Sequence, residues 1–480
     1  MNGYGVDINF IKAKEYYEQS AEQGNSSAIF QLGELHRIGG NGIEQDYLKA
    51  KEYYETAANM NNILAFLQLG ILYYLGNGIK QDYNQAKKYF ELSYKQNHPC
   101  GSYYLGLLYF KGQGVEKDYK IAKDLFEQSE KVGNIECLNY LGYIYYNGFG
   151  VEKDYSVAKQ YFEKSKNSNG YYELGNMYCH GYGVKQDYKK AKEYFELAGK
   201  ENDKALFNLG LLHFNGHGVE KDYQKARKYF ELAGEKNNSN ALYNLGCFYF
   251  YGDGVEKDIE KALKYYESSA KLNNTSALNN LGIIYLYNEY GHKDYEKALN
   301  CLNKSANLND SQSIFNLGCI YLDGIGVPKD SLRAIWYFEL SANFGYSNAL
   351  VNLGCIHYNG LGVEVNYQKA KEYFEQSIKN PNSFGYLYLG LLYHYGEGVE
   401  QDYSKAKKYF ELSSFLNNSY AILSLGFLYE RGLGVEKDHL KAKEYFIMAA
   451  EKNNPHALYI LGSFYLNGNI FKLDIDQAIK

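Results

Sequence analysis

A short phrase that returns along the whole chain constrains the fold more than any other feature. Its Leu-Gly pair ends on the following glycines: Gly33, Gly70, Gly106, Gly142, Gly175, Gly210, Gly246, Gly282, Gly318, Gly354, Gly390, Gly426 and Gly462. Successive glycines are 37, 36, 36, 33 and 35 residues apart, and every later step is 36 residues. A fixed period in this range is typical of solenoids and similar repeat arrays. We therefore expect a stack of copies of one small unit.

A second anchor keeps step with the first. It is the alanine of an Asp-Tyr-x-Lys-Ala phrase, found at Ala13, Ala50, Ala86, Ala122, Ala158, Ala191, Ala226, Ala262, Ala298, Ala334, Ala370, Ala406, Ala442 and Ala478. In nearly every copy this alanine follows the Leu-Gly glycine by 16 residues. Because both halves of the phrase keep their register, the repeat is a structural unit and not loose low complexity.

The first half of each unit has the spacing of a helix. In the copy from residue 239 to residue 274, Ala241, Leu245, Phe248 and Tyr249 fall at positions i, i+4, i+7 and i+8. This spacing places the four side chains on one helical face. We predict that this first helix, helix A, covers about residues 240–251.

The second half predicts another helix behind a glycine turn. Gly252-x-Gly254 is suited to a left-handed helix end, and Asp258 is suited to cap the next helix, helix B, which we expect to run to about Leu272. Gly246 lies inside helix A, where glycine is unfavourable by about 1 kcal/mol relative to alanine. Its return in every copy predicts that another helix crosses closely there.

Composition and charge argue against two classes of partner. The chain has 480 residues and a net charge of −5, with acidic and basic residues mixed in every repeat. We find no basic stripe of the kind that nucleic acid requires, and no run of 18 apolar residues that would span a membrane. The 55 tyrosines mostly recur at fixed positions of the repeat, which favours a packing role. We therefore expect neither nucleic-acid binding nor direct membrane insertion.

The cysteines predict free thiols. Of the seven, Cys247, Cys319 and Cys355 occupy one position of the repeat, just after the Leu-Gly pair. Neighbouring helix layers lie about 8–10 Å apart, beyond the Cα separation of about 7 Å that a disulfide tolerates. Free thiols are typical of a reducing compartment. Residues 1–5 also lack the charged start and apolar core of a signal peptide. We expect a cytoplasmic protein, or an endoplasmic-reticulum protein if a signal peptide lies upstream.

Three copies depart from the pattern. The copy between Gly142 and Gly175 is three residues short around residues 166–170, and one loop residue is added within residues 39–42. The copy after Gly282 has Asn288-Glu289-Tyr290-Gly291 in place of Gly-x-Gly-Val. We expect a changed loop at each place.

The two ends of the chain lack distinct capping repeats. The chain opens inside a turn at residues 3–6 and closes at Lys480, about one turn into a helix B. Solenoids usually need polar end repeats, so we expect a segment of a longer protein. Residues 1–480 are predicted to form one solenoid. It would have 12 complete repeats over about residues 25–453 and partial repeats at 1–24 and 454–480.

The repeat resembles the Sel-one-like repeat (SLR) family, which is related to the tetratricopeptide repeats. One copy carries the pattern as Ala205, Leu209-Gly210, His213, Gly216-x-Gly218-Val219, Asp222-Tyr223, Lys225-Ala226, Tyr229 and Ala233, with His213 at a position that is usually Tyr. The step of 36 residues and the Gly-x-Gly-Val turn favour this family over tetratricopeptide repeats proper, whose period is about 34 residues. The resemblance implies an all-α fold, a right-handed α/α superhelical solenoid that scaffolds protein complexes.

The residue before the Leu-Gly pair is the candidate binding position. It is asparagine in five consecutive repeats, at Asn208, Asn244, Asn280, Asn316 and Asn352. In similar tetratricopeptide arrays this position faces the concave groove. A carboxamide donates and accepts hydrogen bonds, so it can pair with a peptide main chain. The alternative is that these side chains only bridge neighbouring helices, and the sequence favours neither.

No residue set predicts a catalytic, cofactor or metal site. The Tyr-Phe pairs of helix B are expected to be core residues, whereas Trp336 is expected to be partly exposed. The histidines do not form a metal-ligand set, and no Ser/His/Asp set or carboxylate pair stands out from the repeat. We therefore expect a non-catalytic scaffold or adaptor for other proteins or extended peptide segments, acting through the concave face. Two alternatives are an adaptor of endoplasmic-reticulum-associated degradation and the interaction region of a larger signalling protein such as a kinase.

Overall fold

The fold is all-α. A computed structural model describes residues 8–40, 42–287 and 291–467. These residues form 26 α-helices and no β-strand, with one isolated antiparallel bridge between Gly40 and Ile43. The chain divides into two compact units, residues 1–238 and 239–480. The sequence prediction of an all-α array of two-helix repeats is confirmed.

The first unit contains thirteen helices in its described part. They are α1 (Phe10–Glu22), α2 (Ser26–Ile38), α3 (Tyr47–Asn59), α4 (Ile63–Leu75), α5 (Tyr83–Lys95), α6 (Pro99–Lys111), α7 (Tyr119–Lys131), α8 (Cys137–Asn147), α9 (Tyr155–Ser165), α10 (Ser168–His180), α11 (Tyr188–Ala198), α12 (Asp203–Asn215) and α13 (Tyr223–Glu235). Even numbers are helices A and odd numbers are helices B.

The second unit also has thirteen helices in its described part. They are α14 (Ser239–Tyr251), α15 (Ile259–Lys271), α16 (Thr275–Leu286), α17 (Tyr295–Ala306), α18 (Ser311–Asp323), α19 (Ser331–Asn343), α20 (Ser347–Asn359), α21 (Tyr367–Ser377), α22 (Ser383–Tyr395), α23 (Tyr403–Phe415), α24 (Ser419–Arg431), α25 (His439–Glu451) and α26 (Pro455–Asn467). The same alternation of helices A and B continues.

Each helix A packs closely on the helix B that follows it. A Cβ atom added to Gly246 would lie 2.5 Å from the ring of Tyr266 in α15. In most other repeats a buried phenylalanine of helix B takes the place of Tyr266, as Phe230 and Phe410 do. The predicted close crossing at the Leu-Gly glycine is therefore confirmed, and the aromatic pairs of helix B contribute core residues as expected.

The turn from helix A to helix B needs two left-handed glycines. Gly252 and Gly254 have φ values of 81° and 67°, a region that L side chains rarely adopt. Asp258 then caps α15, because its Oδ1 accepts a hydrogen bond from the backbone N–H of Lys261 at 2.9 Å. The second turn glycine also lies against the helix B of the preceding repeat. A Cβ atom on Gly218 would lie 2.6 Å from the Cβ of Tyr188, in the helix B of the preceding repeat.

The turn from helix B to the next helix A uses asparagine instead. Seven asparagines with positive φ occupy it: Asn61, Asn97, Asn237, Asn273, Asn309, Asn417 and Asn453. Asparagine tolerates this left-handed conformation better than other residues with a Cβ atom. The left-handed turn therefore explains why asparagine recurs at the boundary between repeats.

The irregular copies are partly visible. In the short copy, α9 ends at Ser165 and α10 begins at Ser168, with Lys166 left-handed at φ 47°. Two residues thus replace a longer connection, as the sequence predicted. Asn41 and the replaced turn at residues 288–290 lie outside the described residues, and so do the two ends at 1–7 and 468–480. The predicted repeat boundaries and the single-solenoid organisation stay predictions.

All seven cysteines are free thiols, as expected from the spacing. Burial, assisted by the charge of Asp323, raises the pKa of Cys319 to about 12, and burial raises that of Cys355 to about 11. Both side chains are therefore neutral at physiological pH. Among the helices of residues 8–467 that the structure describes, none has the length and apolarity to cross a bilayer.

Candidate functional site

The predicted asparagines occupy one equivalent position on five helices A. We call the residue before each Leu-Gly pair the ladder position. Asn208 lies on α12 of the first unit, and the other four lie on helices of the second unit: Asn244 on α14, Asn280 on α16, Asn316 on α18 and Asn352 on α20. All five are half-buried, so their amides lie at the surface of the repeat and not in its core.

Four of the five ladder amides donate a hydrogen bond to the preceding helix A. The acceptors are Asn176 Oδ1 for Asn208 at 3.0 Å, Tyr243 Oη for Asn280 at 3.5 Å, Asn279 Oδ1 for Asn316 at 2.8 Å and Cys319 Sγ for Asn352 at 3.7 Å. Asn244 differs, since it donates to the Asn240 carbonyl of its own helix at 2.8 Å. The bridging role weighed in the sequence analysis is therefore present. A carboxamide has further donor and acceptor capacity, so a ladder asparagine that bridges two helices can also bind a peptide. Peptide binding by these side chains stays a prediction.

A second polar row lies at the N-termini of the helices A. Asn382 precedes α22, and its Oδ1 accepts the backbone N–H groups of Phe384 and Gly385 at 3.1 and 3.0 Å. Its Nδ2 reaches the preceding helix A, at Ser347 Oγ (3.1 Å) and Asn348 Oδ1 (2.8 Å). The boundary asparagine therefore caps its own helix and bridges to the previous repeat.

The two polar rows flank a groove in the second unit. Its volume is about 600 Å³, and three consecutive helices A contribute to it. Phe315 comes from α18; Ser347, Asn348, Val351, Asn352 and Cys355 come from α20; Pro381, Asn382, Ser383, Phe384 and Tyr388 come from the start of α22 and the loop before it. We call it the Asn352 groove. It contains one predicted ladder asparagine, Asn352, and the ladder-position tyrosine of the next repeat, Tyr388.

The Asn352 groove combines apolar surface with uncharged polar groups. None of the residues that line it is charged. Phe384 remains 48% exposed at the rim, whereas Tyr388 is held by stacking on Phe374 with ring centroids 4.9 Å apart. Asn352 and Asn382 supply amides beside these rings. This combination suits an extended peptide that carries a large apolar side chain, since the amides can pair with its main chain while Phe384 covers the side chain.

Trp336 is exposed but lies apart from the groove. It is 56% exposed on α19, as expected, and its ring meets Tyr337 edge-on at 4.8 Å. His213 takes the position of the usual tyrosine. It stacks on Tyr229 at 5.7 Å and is 6% exposed, and burial lowers its pKa. In the part of the chain that the structure describes, no three His, Cys, Asp or Glu side chains converge as a metal site requires.

The sequence reasoning missed three features of this surface. It did not single out Phe384, which is 48% exposed. It did not consider the asparagines at the unit boundaries and so missed their bridging. It also left out Glu173, which occupies the ladder position of α10. Only the last omission had a direct signal, namely an acidic residue at a position that is otherwise uncharged.

Comparison with known proteins agrees with this architecture. The sequence model of the family described as Sel1 repeat matches fourteen segments, at residues 1–25, 26–62, 66–98, 101–134, 135–170, 168–203, 204–238, 239–274, 275–310, 311–346, 347–382, 383–414, 419–454 and 455–480. No curated protein matches the chain.

Two solved structures are similar over much of the chain. One is a protective antigen present in uropathogenic Escherichia coli strains and displaying an SLR fold. It is 27% identical, with 94% of this chain and 96% of that chain covered and a TM-score of 0.60. The other is a Sel1 repeat protein from Oxalobacter formigenes. It is 25% identical, with 62% of this chain and 87% of that chain covered and a TM-score of 0.50. The repeat, the helix pairs and these matches lead to one conclusion: the chain belongs to the Sel1 repeat family.

Proposed function

We propose that this chain is a non-catalytic scaffold that binds extended segments of other proteins on the face formed by its helices A. Sel1 repeats form a solenoid fold that typically mediates protein–protein interaction. The observation that carries the finer proposal is the Asn352 groove, where amides and exposed aromatic surface meet across three consecutive repeats. Function has to be argued from such a site, because a fold alone does not imply it.

The groove favours one class of peptide. Its lining is uncharged, so a charged side chain would lose hydration there without gaining a partner. A phenylalanine, tyrosine or leucine side chain would instead bury apolar area against Phe384, Val351 and Phe315. Aromatic contacts of this kind commonly dominate peptide and protein interfaces. We therefore propose that the bound segment is extended, uncharged over this stretch and carries a large apolar residue.

A peptide-display selection tests the proposal directly. Random peptides displayed on phage are selected on the whole chain, and the affinity of one enriched peptide is measured for the wild type and for the Asn352→Ala variant. We expect Asn352→Ala to weaken binding about tenfold, which corresponds to about 1.4 kcal/mol. The unfolding temperature should change little, because the bond that Asn352 donates to a sulfur atom is weak.

A matched control lies on the same helix. Asn359 is an exposed asparagine at the end of α20 whose amide binds the Cys355 carbonyl of its own helix. Asn359→Ala should leave peptide affinity unchanged. If Asn352→Ala lowers stability but leaves affinity intact, the ladder asparagines serve only to brace the helices, and the proposed role of Asn352 is wrong.

A further inference from the structure

Glu173 is unusual in its burial. Among the Asp, Glu, Lys and Arg residues that the structure describes, it is the one classed as buried, with 7% of its surface exposed. It lies on α10 at the ladder position, where the next five repeats carry asparagine. A carboxylate that is removed from water is strongly disfavoured unless a partner compensates it. Burial accordingly raises the pKa of Glu173 above its usual value, and a cation bound beside the carboxylate would favour its charged form.

The described partners of Glu173 are neutral. The Tyr143 hydroxyl donates to Oε1 at 2.6 Å, and Asn176 Nδ2 approaches Oε2 at 3.5 Å. Among the described side chains, none forms an ion pair with this carboxylate. A carboxylate has about four acceptor sites, so these two contacts leave room for a further donor.

Tyrosines lie beside the carboxylate. Tyr143 contacts it directly through its hydroxyl, and Tyr172 is the adjacent residue of α10. Both tyrosines are half-buried. Aromatic faces attract cations within about 6 Å. Carboxylate and rings together form the chemistry that recognises an ammonium or guanidinium group.

A lysine of the chain already lies at this rim. Lys204 Nζ is 5.9 Å from the centre of the Tyr172 ring. The lysine is exposed, and its distance from the ring is at the outer limit of a cation–π contact. A cation is thus attracted to this place, but no direct ion pair with Glu173 results.

The carboxylate is also connected to the ladder of asparagines. Asn176 approaches Glu173 through its Nδ2, and its Oδ1 accepts a hydrogen bond from Asn208 at 3.0 Å. A peptide whose main chain pairs with Asn208 would therefore bring a side chain to Glu173. The Asn352 groove in the second unit lacks any charged lining residue, so the two places favour different side chains.

We infer that Glu173, with Tyr143 and Tyr172 beside it, binds the cationic side chain of a lysine or arginine in an extended peptide segment. The inference rests on the proposed function in that the ligand is a protein segment. It names a second site, in the first unit, and the side-chain class that this site selects.

Two capped nonapeptides test the inference. They share a Gly/Ser sequence and differ in the central residue, lysine in one and norleucine in the other, so that only the ammonium group is changed. Their affinities for the whole chain are measured by fluorescence anisotropy. We expect the lysine peptide to bind about tenfold more tightly than the norleucine peptide. We also expect this preference to disappear in Glu173→Gln, which keeps the side-chain shape and an acceptor for Tyr143.

Glu220→Gln is the control, since it removes the same charge from an exposed turn, and it should leave the preference intact. Equal binding of the two peptides by the wild type, no binding of either, or an unchanged preference in Glu173→Gln would each overturn the inference. These outcomes are independent of the Asn352 variant. If the lysine preference does not depend on Glu173, the proposed function is unaffected. If Asn352→Ala does not weaken peptide binding, the test at Glu173 is unaffected.

Discussion

At the scale of single residues, the glycine of the Leu-Gly pair determines how closely the two helices of a repeat approach. In α22 and α23, a Cβ atom on Gly390 would lie 2.5 Å from two ring atoms of Phe410. Phe410 is itself fully buried, so its ring has little freedom to withdraw. The absence of a side chain at Gly390 is therefore a packing requirement that overrides the low helix propensity of glycine.

We expect Gly390→Ala to destabilise the chain although alanine is the better helix former. The gain in helix propensity is about 1 kcal/mol, whereas overpacking a core position typically costs about 1–3 kcal/mol. The net result should be a free energy of unfolding lowered by about 1 kcal/mol, measured by urea unfolding followed by circular dichroism. In a Phe410→Ala background the same change should be neutral or stabilising. An increase in stability in the single variant would contradict this account.

The ladder asparagines show what can be read from one residue position. Their recurrence and their chemistry are visible in the sequence, and so is the choice between binding and bridging. The acceptors on the preceding helix are not visible, because they differ from repeat to repeat. Asn176 and Cys319 directly follow the Leu-Gly pair, whereas Tyr243 and Asn279 lie three residues before its glycine. Which side chain comes into reach depends on the offset between neighbouring helices, and the sequence does not state that offset.

At the scale of elements, one asparagine both starts a helix and ties it to the previous repeat. Asn202 Oδ1 accepts the backbone N–H of Ala205 at 2.9 Å and so caps α12. Its Nδ2 donates to Ser168 Oγ at 3.1 Å, at the start of α10. Ser168 in turn donates to the Ala198 carbonyl at the end of α11 at 2.7 Å. The junction of three helices therefore depends on two short polar side chains.

We expect Asn202→Ala to lower the free energy of unfolding by about 2 kcal/mol. About 1 kcal/mol of this is the lost cap, and the rest is the lost bridge to Ser168 in a buried setting. Asn25→Ala is the matched control. Asn25 is an exposed cap of α2 that accepts from Ser27 and Ala28, so its loss should cost only about 1 kcal/mol. Urea unfolding of both variants measures the difference.

A double-mutant cycle isolates the bridge. If Asn202 and Ser168 interact as the structure indicates, Asn202→Ala and Ser168→Ala together should be less destabilising than the sum of the two single changes. Strict additivity would mean that Asn202 acts as a cap alone. The start of helix A was predicted approximately, from its apolar spacing. The link between repeats was not, because its donor and acceptor are 34 residues apart.

At the scale of the whole molecule, most of the fold could be predicted from the repeat period. Two anchors in register specified a two-helix unit, its close crossing and its glycine turn, and all three are observed in α14 and α15. The period does not predict the division into two compact units, residues 1–238 and 239–480. The steps of 36 residues run unchanged through Gly246 and onward. The candidate sites were only partly predictable. Asn352 keeps the repeated asparagine of the ladder position, whereas Phe384 and Glu173 depart from the repeat.

We expect histidines that replace a repeated tyrosine to make the stability of the chain depend on pH. His36, His213 and His357 stand where other repeats have Tyr249 or Tyr321, and each stacks on a tyrosine of helix B. All three are buried, and their Nδ1 atoms have no hydrogen-bond partner among the described residues. Burial lowers the pKa of each below the usual value of 6.5. The folded chain therefore keeps these imidazoles neutral where the unfolded chain takes up protons.

The sign of the effect follows from this difference. A group whose pKa is lower in the folded state contributes its full stability above the pKa of the unfolded state. That contribution is lost as the pH falls from the pKa of the unfolded state to the pKa of the folded state. We expect the urea midpoint to drop between about pH 7.5 and about pH 5.5, the range in which unperturbed histidine titrates. The triple variant His36→Tyr, His213→Tyr and His357→Tyr should lose less over the same interval. Part of the drop should remain, because burial also lowers the pKa of His98 and His394. An equal drop in the wild type and in the triple variant would show that these three positions do not carry the pH dependence.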